Sequence, residues 1–412
     1  MRILLVSQHF WPESFIINDL VSTLVSQGHQ VKVVTGKPNY PDGEIYPGYT
    51  QSGIVNEVYE DSIQVSRVPL RPRYNGGALN LVFNYLSFVF SGLVYFPRLV
   101  KGQKFDVVFV FANSPITQAI PAIYLKWRLK AHLAVWVQDL WPESLSATGF
   151  IRNKFILKLV GYMVKGIYAF SDTLLVQSKA FFEPVSRYAN KKKIVYYPNS
   201  ILVNKPRVSA ELSDELITTL KNNFCVVFAG NIGKAQSIET ILNAAHKLKE
   251  EKQIKFVIVG SGSMLDWSQS QKEMLGLSNV FFAGRYPVDM MPAIYQHASA
   301  LLVTLKDEEI FSKTIPSKVQ SYMAAKRPII ASLNGEGARV IKESGAGLSC
   351  NAEDSDALAQ RVRGLYEMSE NERSNMGEAG YAYFLKEFEM NHQAQRLIEI
   401  LEQRISETRR NN

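Results

Sequence analysis

The sequence predicts an α/β protein of two domains, each a doubly wound parallel sheet, with the two sheets facing each other across a cleft. Short apolar runs alternate with helical patterns in both halves of the 412 residues, as expected for parallel sheets covered by helices. The chain is also too long for one ordinary hydrophobic core. Within 225–332, an apolar strand, a glycine-bearing turn and a helix follow one another repeatedly.

The individual strands follow from their apolar runs. In the first half they are predicted at 3–7, 31–35, 107–111, 134–138 and 173–177, and in the second half at 226–228, 256–259, 280–282, 300–303 and 328–331. The polar, proline-containing segment 199–211 is typical of a linker. We therefore expect domains at 1–200 and 205–388, with a last helix in 389–412 that packs back on the first domain.

The turns of the second half predict an anion site. The first strand of this half runs into Gly230, Asn231, Gly233 and Lys234 before a helix that begins at about Ser237. Free amides and the positive dipole end of such a helix favour an anion. The next strand ends in a similar turn with two glycines, Gly260 and Gly262, and later turn residues precede a further helix: Ser312, Lys313, Ser317 and Lys318. Together they predict a site for a doubly phosphorylated ligand, although Lys318 alone could also be an ordinary solvated lysine.

The charge of the chain is concentrated in its first half. The formal net charge is +8, and residues 1–200 carry 21 lysines and arginines against 12 acidic residues. No nucleic-acid-binding motif accompanies this excess, so an anionic membrane surface is the expected partner and nucleic acid is not. The two cysteines, Cys225 and Cys350, lie far apart in apolar contexts, which favours reduced thiols and a cytoplasmic protein without a secretory signal.

The segment 74–97 contains no ionisable acid or base and is rich in Leu, Val, Phe and Tyr. As a helix it would reach about 36 Å, enough for a bilayer core of about 30 Å. Its polar residues, however, share one narrow helical stripe: Asn80, Asn84, Ser87 and Ser91. Such a stripe predicts a helix that lies on the protein with its polar face inward and its aromatic remainder packed in the domain or dipped into lipid.

A second helical segment, 151–170, combines apolar residues with Lys154, Lys158 and Lys165 on one face. Basic side chains near anionic lipid contribute about 1 kcal/mol each. Both segments therefore favour peripheral membrane binding. The alternative is that they are internal helices of an α/β domain whose lysines face water.

Eight strings in order resemble the retaining nucleotide-sugar glycosyltransferases of glycosyltransferase family 4, and the resemblance covers nearly the whole chain. They are SQHFWPES, GHQVKVVTGKPNYPDG, VQDLWPESL, YYPNS, AGNIGKAQSIE, VGSGS, FFAGRYPVDMMPAIYQHA and PSKVQSYMAAKRPI. Within the family the chain looks most like bacterial O-antigen and capsule transferases, in particular those that add N-acetyl-L-fucosamine. The resemblance implies the GT-B fold, with acceptor binding in the first domain and the nucleotide sugar in the second.

By this resemblance the donor site lies in the second domain. Gly284 and Arg285 would meet the base, while Lys234, Lys313 and Lys318 would surround the diphosphate together with Gly230, Asn231, Gly233, Gly262 and Ser317. Lysines and helix-end amides aimed at a leaving diphosphate stabilise its developing charge. The family needs no metal or other cofactor, and the sequence offers no metal-ligand cluster.

Several positions depart from the family pattern. Ser321 stands where a ribose-binding glutamate is usual, so Glu308 or Glu309 is a candidate replacement, and Lys326 stands where glycine is common. A family His-Asp pair is reduced here to Asp139, the candidate catalytic residue on the acceptor side. Asp139 could instead cap the helix after Pro142.

Further acceptor-side candidates lie in the turns after the first-half strands: Trp11, Glu13, Tyr40, Asn113 and Glu143. Glu13 could instead simply begin a helix, because Pro and an acid are favoured in a first turn.

These features predict an enzyme that moves a sugar from a UDP-linked donor, with retention, to a polyprenyl-diphosphate-linked sugar at the cytoplasmic face of the bacterial inner membrane, in O-antigen and lipopolysaccharide biosynthesis. Two alternatives remain open: a nucleotide-sugar epimerase on the same fold, and a non-catalytic partner in glycan assembly. A dinucleotide-dependent oxidoreductase is disfavoured because neither domain opens with a complete G-x-G-x-x-G turn followed by a ribose-binding acid.

Overall fold

A computed structural model describes residues 1–74, 76–147, 149–203 and 212–410 of the chain. The chain divides into two compact units, Met1–Ser200 with Met390–Asn412, and Ile201–Glu389. Most of the expected linker, namely 204–211, lies outside the described residues.

The described part of the first unit is built on an eight-stranded sheet. Its strands are β1 (Arg2–Ser7), β2 (Gln30–Gly36), β3 (Val55–Tyr59), β4 (Ile63–Val68), β5 (Val107–Ala112), β6 (His132–Val137), β7 (Thr173–Val176) and β8 (Ile194–Tyr196). They lie in the order β3-β4-β2-β1-β5-β6-β7-β8, and every pair is parallel except β3 with β4. The sheet order reverses direction between β1 and β5, where open α/β sheets bind their ligands.

The central strands are continuous apolar runs because helices cover both of their faces. All residues of β5 and β6 are buried. The covering helices are α1 (Ile16–Ser26), α2 (Ala78–Leu99), α3 (Ala119–Leu129), α4 (Glu143–Ala147), α5 (Lys154–Phe170) and α6 (Phe182–Ser186).

The second unit repeats the design with a described sheet of six parallel strands. They are β9 (Phe224–Ala229), β10 (Ile254–Val259), β11 (Val280–Gly284), β12 (Ala300–Thr304), β13 (Ile329–Ser332) and β14 (Gly347–Cys350), in the order β11-β10-β9-β12-β13-β14. The switch point falls between β9 and β12. The loops that leave these two strands are therefore the expected place for a ligand.

Helices of the second unit cover this sheet, and one more helix follows them in the chain. The first nine are α7 (Asp214–Asn222), α8 (Ile238–Lys247), α9 (Leu265–Met274), α10 (Met291–His297), α11 (Glu309–Ser312), α12 (Ser317–Ala324), α13 (Glu336–Ser344), α14 (Ser355–Glu367) and α15 (Glu370–Glu387). The last is α16 (Met390–Arg410), which returns to the first unit and packs on α1. Its buried residues include Ala394, Leu397 and Leu401.

The ten predicted strands are all present, with bounds that differ by one or a few residues. β3, β4, β8 and β14 were not predicted. β3 and β4 form a hairpin whose turn residues Glu60 and Asp61 have φ of 46° and 58°. Such a turn normally carries Asn or Gly. Because neither residue stands at these two positions, the sequence pattern did not indicate a hairpin.

Candidate functional site

Glycine turns after β9 and β10 pack backbone against backbone. Gly230 and Gly260 have φ of 141° and 144°, and a β-carbon on Gly260 would lie 1.9 Å from the Gly230 carbonyl oxygen. Gly262 is equally confined, because its β-carbon would lie 2.5 Å from the Ile232 oxygen. Only glycine fits such close approaches. The two turns therefore form a compact bed at the carboxyl edge of the sheet, with the Gly230 and Gly260 amides bonded to the Val259 and Gly284 oxygens.

Lys318 lies against this bed from the first turn of α12. A β-carbon on Gly230 would be 2.7 Å from Lys318 Cε, the Nζ donates to Gln236 Oε1 at 2.6 Å, and it lies 3.7 Å from the centroid of the Phe228 ring. Burial among these groups lowers the pKa of Lys318 to about 7. An anion bound on the bed would supply the negative counter-charge that the Lys318 ammonium lacks.

The loop after β12 joins the same edge. The Lys306 amide donates to the Ala235 oxygen at 3.0 Å, and the Thr304 hydroxyl donates to the Gln236 oxygen. These bonds hold the short helical turn Lys234–Gln236 and, through Gln236, orient the Lys318 side chain. Gln236 is thus a positioning residue that joins the loop after β9 to the end of β12 and to the first turn of α12.

The other predicted donor residues differ in how closely they join this bed. Asn231 does so, because its Oδ1 would lie 2.5 Å from a β-carbon on Gly262 and its Nδ2 2.7 Å from one on Gly233. Gly284, with φ of 78°, accepts a bond from the Gly260 amide at 2.8 Å. Lys234 and Arg285 are exposed at the ends of their loops, without a described contact to Lys318.

The ribose-contact candidates are already engaged within their own helices. The Ser321 hydroxyl donates to the Ser317 oxygen at 3.1 Å, one helical turn back, and Ser317 is the exposed first residue of α12. Glu309 accepts from the Lys313 ammonium at 2.6 Å across one turn. Roles for Lys313, Ser317, Ser321 and Glu309 in donor binding stay predictions.

In the first unit, Glu13 is a buried anchor for two loops. Its carboxylate accepts from the amides of Phe10, Asn39 and Tyr40 at 3.2, 2.8 and 2.7 Å. His9 Nδ1 lies 2.9 Å from Glu13 Oε1. Because α1 begins only at Ile16, the alternative that Glu13 starts this helix is wrong. Glu13 instead ties the turn after β1 to the turn after β2, and a direct acceptor contact stays a prediction.

Partly exposed aromatic rings lie above this anchor. Tyr40 contacts His9 at 5.7 Å and Phe15 at 5.2 Å between ring centroids, and the Arg73 guanidinium lies 4.9 Å from the Tyr40 ring centroid. Trp11 is also partly exposed. Such rings commonly stack on sugars, and both residues stay acceptor candidates.

Asp139 meets the loop after β5 through Trp141. The Trp141 indole donates to Asp139 Oδ2 and to Ser114 Oγ, each at 3.2 Å. α4 begins at Glu143, four residues beyond Asp139, so the alternative that Asp139 caps this helix is wrong. Asn113 accepts two bonds from Gln118 Nε2 at 3.0 Å, and Glu143 lies 3.8 Å from Arg187 Nη1. The structure thus brings Asp139 close to the Asn113–Ser114 turn through Trp141.

The sequence did not predict that several polar atoms along the carboxyl edge of this sheet are unpaired. They are buried and have no hydrogen-bond partner in the described parts of the chain: Gln8 Oε1, Lys37 Nζ, Asn39 Oδ1, Thr117 Oγ1 and Gln138 Nε2. They follow β1, β2, β5 and β6, the strands around the switch point. Unpaired polar groups at such an edge are typical of a ligand site, which here lies on the expected acceptor side.

Helix α2 presents its apolar side to the surface. Its polar stripe faces the sheet: Asn84 is buried, accepts from Gln8 Nε2 at 2.7 Å and donates to the Arg71 oxygen at 2.6 Å. The opposite face exposes large apolar side chains: Leu79, Val82, Phe83, Leu86, Phe90 and Leu93. Among the described residues, α2 is a 22-residue helix that is long and apolar enough to cross a membrane, by length and composition alone.

Helices α3 and α5 extend this exposed apolar surface. α3 contacts both α2 and α5, and the Trp127 ring meets the Phe170 ring edge to face at 5.4 Å. On α5 the exposed apolar residues Phe155, Ile156, Leu159 and Tyr162 alternate with exposed Lys154, Lys158 and Lys165. Neither α2 nor α5 is thus enclosed by the domain, and both membrane binding and the alternative that the lysines simply face water stay predictions. We call these outward faces of α2, α3 and α5 the apolar–basic surface.

Comparisons with known proteins agree with this architecture. Residues 15–200 match the family described as "Glycosyl transferase 4-like domain" and residues 214–383 match "Glycosyl transferases group 1". Similar proteins include the glycosyltransferase WbjE of Pseudomonas aeruginosa, 26% identical over 72% of this chain and 75% of that protein. Another is the protein named as the colanic acid biosynthesis glycosyl transferase WcaI of Escherichia coli, 23% identical over 79% of this chain and 81% of that protein.

Solved structures show the same fold over almost the whole chain. The Anabaena protein Alr3699/HepE in complex with UDP has a TM-score of 0.67 at 13% identity, covering 98% of this chain and 100% of that one. Sucrose-phosphate synthase from Thermosynechococcus elongatus has a TM-score of 0.70 at 15% identity, covering 98% of each chain. The chain is a glycosyltransferase with the GT-B fold. Its first unit carries a glycosyl transferase 4-like domain and its second a glycosyl transferases group 1 domain.

In the described residues no group of three or more His, Cys, Asp or Glu side chains could hold a metal ion.

Proposed function

We propose that this glycosyltransferase moves a sugar from a UDP-linked donor to a polyprenyl-diphosphate-linked sugar, with retention of anomeric configuration. The observation that carries the proposal is Lys318 on the bed of Gly230 and Gly260 at the switch point of the second unit. A diphosphate on this bed would approach the two close-packed turns and meet the Lys318 ammonium. Structural neighbours crystallised with UDP and with UDP-glucose support a nucleotide-sugar donor.

The proposed chemistry needs no covalent nucleophile from the protein. The bond between the anomeric carbon and the UDP oxygen breaks, and the acceptor hydroxyl forms the new bond from the same face. Its proton passes to the departing phosphate oxygen. Lys318 stabilises the charge that builds on the leaving diphosphate, while Asp139 and Lys234 are the further candidates for contacts with the reacting groups.

The proposed process is assembly of a bacterial surface polysaccharide such as O-antigen. Support comes from the relatives named WbjE and WcaI, the second of which is named for colanic acid biosynthesis. UDP-N-acetyl-L-fucosamine is the first donor to test, because the sequence resembles transferases of that sugar.

We further propose peripheral attachment to the cytoplasmic face of the inner membrane through the apolar–basic surface. Exposed aromatic and aliphatic residues on α2 would enter the lipid interface, and the lysines of α5 would meet anionic headgroups. A lipid-linked acceptor requires such contact, because its tail stays in the bilayer.

The decisive experiment is a mass-spectrometric transfer assay with purified protein, a panel of UDP-sugars and a short polyprenyl-diphosphate-linked N-acetylhexosamine. A product one sugar heavier than the acceptor is expected. Lys318→Ala should lower turnover at least a hundredfold, because one preorganised charge contact is worth that much in such sites. Lys342→Ala, which removes an exposed lysine of α13 in the same unit, is the matched control and should transfer normally.

Absence of product with every donor, in protein that is folded and binds UDP, would contradict the proposal. Epimerised UDP-sugars in the same spectra would then identify the epimerase alternative. Unchanged turnover of Lys318→Ala would remove this residue from the mechanism.

A further inference from the structure

Lys37 is a buried cation without a partner at the carboxyl end of β2. Its side chain is fully buried, and its Nζ has no hydrogen-bond partner within the described ranges. A buried ammonium without compensation is costly, so such groups are normally paired. Two positions later, the buried Oδ1 of Asn39 also has no hydrogen-bond partner in the described residues.

The charges around Lys37 do not neutralise it. Its charged neighbours are Arg67 on β4 and Glu57 on β3. Arg67 already takes the Glu57 carboxylate through Nε, and its two other nitrogens donate to the Gly36 and Trp11 oxygens. The three side chains therefore leave one positive charge in excess. Burial, followed by the nearby Arg67 guanidinium, lowers the pKa of the Lys37 ammonium.

We propose that Lys37 binds a phosphate oxygen of the acceptor, so that the first unit recognises the diphosphate of a lipid-linked sugar through a cation of its own. The inference rests on the proposed function, because it presupposes an acceptor in this unit. A phosphate oxygen at Nζ would provide the missing counter-charge and a charge-assisted hydrogen bond. The donor diphosphate is served by Lys318 and the glycine turns of the other unit.

The surroundings of Lys37 suit a sugar diphosphate. The adjacent turn is held by the Glu13 carboxylate on the amides of Asn39 and Tyr40, which fixes the path of the chain directly after Lys37. Asn39 Oδ1 and Gln8 Oε1, both unpartnered, can accept from sugar hydroxyls. The Tyr40 ring with Arg73 beside it adds a stacking face and a second cation.

The same strand offers a matched control in Lys32. Burial lowers the pKa of the Lys32 ammonium as well, but its Nζ already donates to the Leu99 oxygen at 2.9 Å. Lys32 therefore has no need of a ligand. Lys37→Met removes the unpaired charge and keeps the length of the side chain, and Lys32→Met makes the same chemical change at a satisfied position.

The test is isothermal titration of the full chain, in detergent and with UDP saturating the donor site. Its three probes are farnesyl diphosphate, inorganic pyrophosphate and farnesol. Wild type and Lys32→Met are expected to bind farnesyl diphosphate alike, and Lys37→Met at least tenfold more weakly, since charge-assisted hydrogen bonds contribute at this level. Farnesol binding should be equal in all three proteins. The melting temperature of Lys37→Met should not fall, because the change removes a buried, unpaired amine.

Equal binding of farnesyl diphosphate by Lys37→Met and wild type would overturn the inference. So would a lower melting temperature of Lys37→Met with unchanged binding, which would make Lys37 a structural residue. If pyrophosphate binds as tightly as farnesyl diphosphate and loses the same factor in Lys37→Met, the site takes a free phosphate and the assignment to a lipid-linked acceptor is overturned. The affinity for UDP, measured first, tests the proposed donor separately and should be the same in all three proteins.

Discussion

At the scale of single residues, Lys318 combines two properties that a diphosphate site needs. Its Nζ is held in place by Gln236. Among the described contacts, no carboxylate binds this Nζ and competes with a ligand. The desolvation that lowers its pKa to about 7 means that the free protein carries this charge only partly at neutral pH. A bound diphosphate favours the charged form and raises the pKa again.

This coupling predicts that UDP affinity falls as pH rises above 7. At pH values above the pKa of free Lys318, the amine must take up a proton when UDP binds. The UDP affinity then falls by up to tenfold per pH unit, until the pH reaches the pKa of Lys318 in the bound form. The UDP phosphate does not cause this fall, because its second ionisation, near pH 6, is complete above 7. Titration calorimetry at pH 6.5, 7.5 and 8.5, in buffers of different ionisation enthalpy, measures both the affinity and the proton uptake.

Lys318→Ala is the control for this pH dependence. The variant should bind UDP more weakly at pH 6.5 and show a flat affinity between pH 7 and 8.5, without proton uptake. An undiminished slope in Lys318→Ala would assign the titrating group elsewhere.

The residue scale also shows what the sequence could and could not predict. The glycines at 230, 260 and 262 were identifiable because strand, turn and helix follow each other in the chain. The unpaired state of Lys37 was not, because it depends on Glu57 and Arg67, which reach it only through the β3–β4 hairpin. Lys326, at the family glycine position, keeps a left-handed φ of 56°, so the backbone there retains the shape that glycine would favour.

At the scale of elements, α2 is an amphipathic helix whose polar side faces the protein. The spacing of Asn80, Asn84, Ser87 and Ser91 predicted this stripe, and the structure confirms its inward direction through the bonds of Asn84 and through Ser87, whose Oγ accepts from the Arg71 amide at 3.0 Å. The sequence could not decide whether the aromatic face packs in the domain or stays outside. That depends on how the neighbouring elements pack: α2 contacts α3 and β4, while its aromatic face stays exposed.

Two substitutions in α2 should separate stability from lipid binding. Asn84→Ala leaves Gln8 Nε2 and the Arg71 oxygen without their partner, which should lower the free energy of unfolding by about 1–3 kcal/mol. Phe90→Ser acts on a side chain that is 70% exposed, so stability should be unchanged while binding to anionic vesicles weakens severalfold. Denaturant unfolding and vesicle co-sedimentation measure the two effects.

Vesicles of neutral lipid serve as the reference for the lysines of α5. Wild type should bind them less tightly than vesicles containing phosphatidylglycerol, and the difference should shrink at high salt. If Phe90→Ser binds anionic vesicles like wild type, α2 is not the element that enters the lipid.

At the scale of the whole molecule, each unit has its own sheet and its own hydrophobic core. α16 is the element that makes the first unit discontinuous in sequence. It packs on α1, and the Tyr197 hydroxyl donates to the Gln393 oxygen at 3.0 Å. The stability of the first unit should therefore depend on residues that the chain supplies only after the second unit is complete.

Leu401→Ala, in α16, tests this dependence. Leu401 is fully buried, and truncation of such a leucine costs about 2–5 kcal/mol, which for a unit of roughly 200 residues lowers the melting temperature by about 4–20 °C. The loss should fall on the first unit alone.

Saturating UDP should raise the melting temperature of the second unit, because a ligand stabilises only the unit that binds it. Scanning calorimetry of Leu401→Ala with and without UDP resolves the two effects, and Glu399→Ala, an exposed position on the same helix, should melt like wild type. If Leu401→Ala lowers the UDP-sensitive transition instead, α16 stabilises the donor-binding unit and its assignment to the first unit fails.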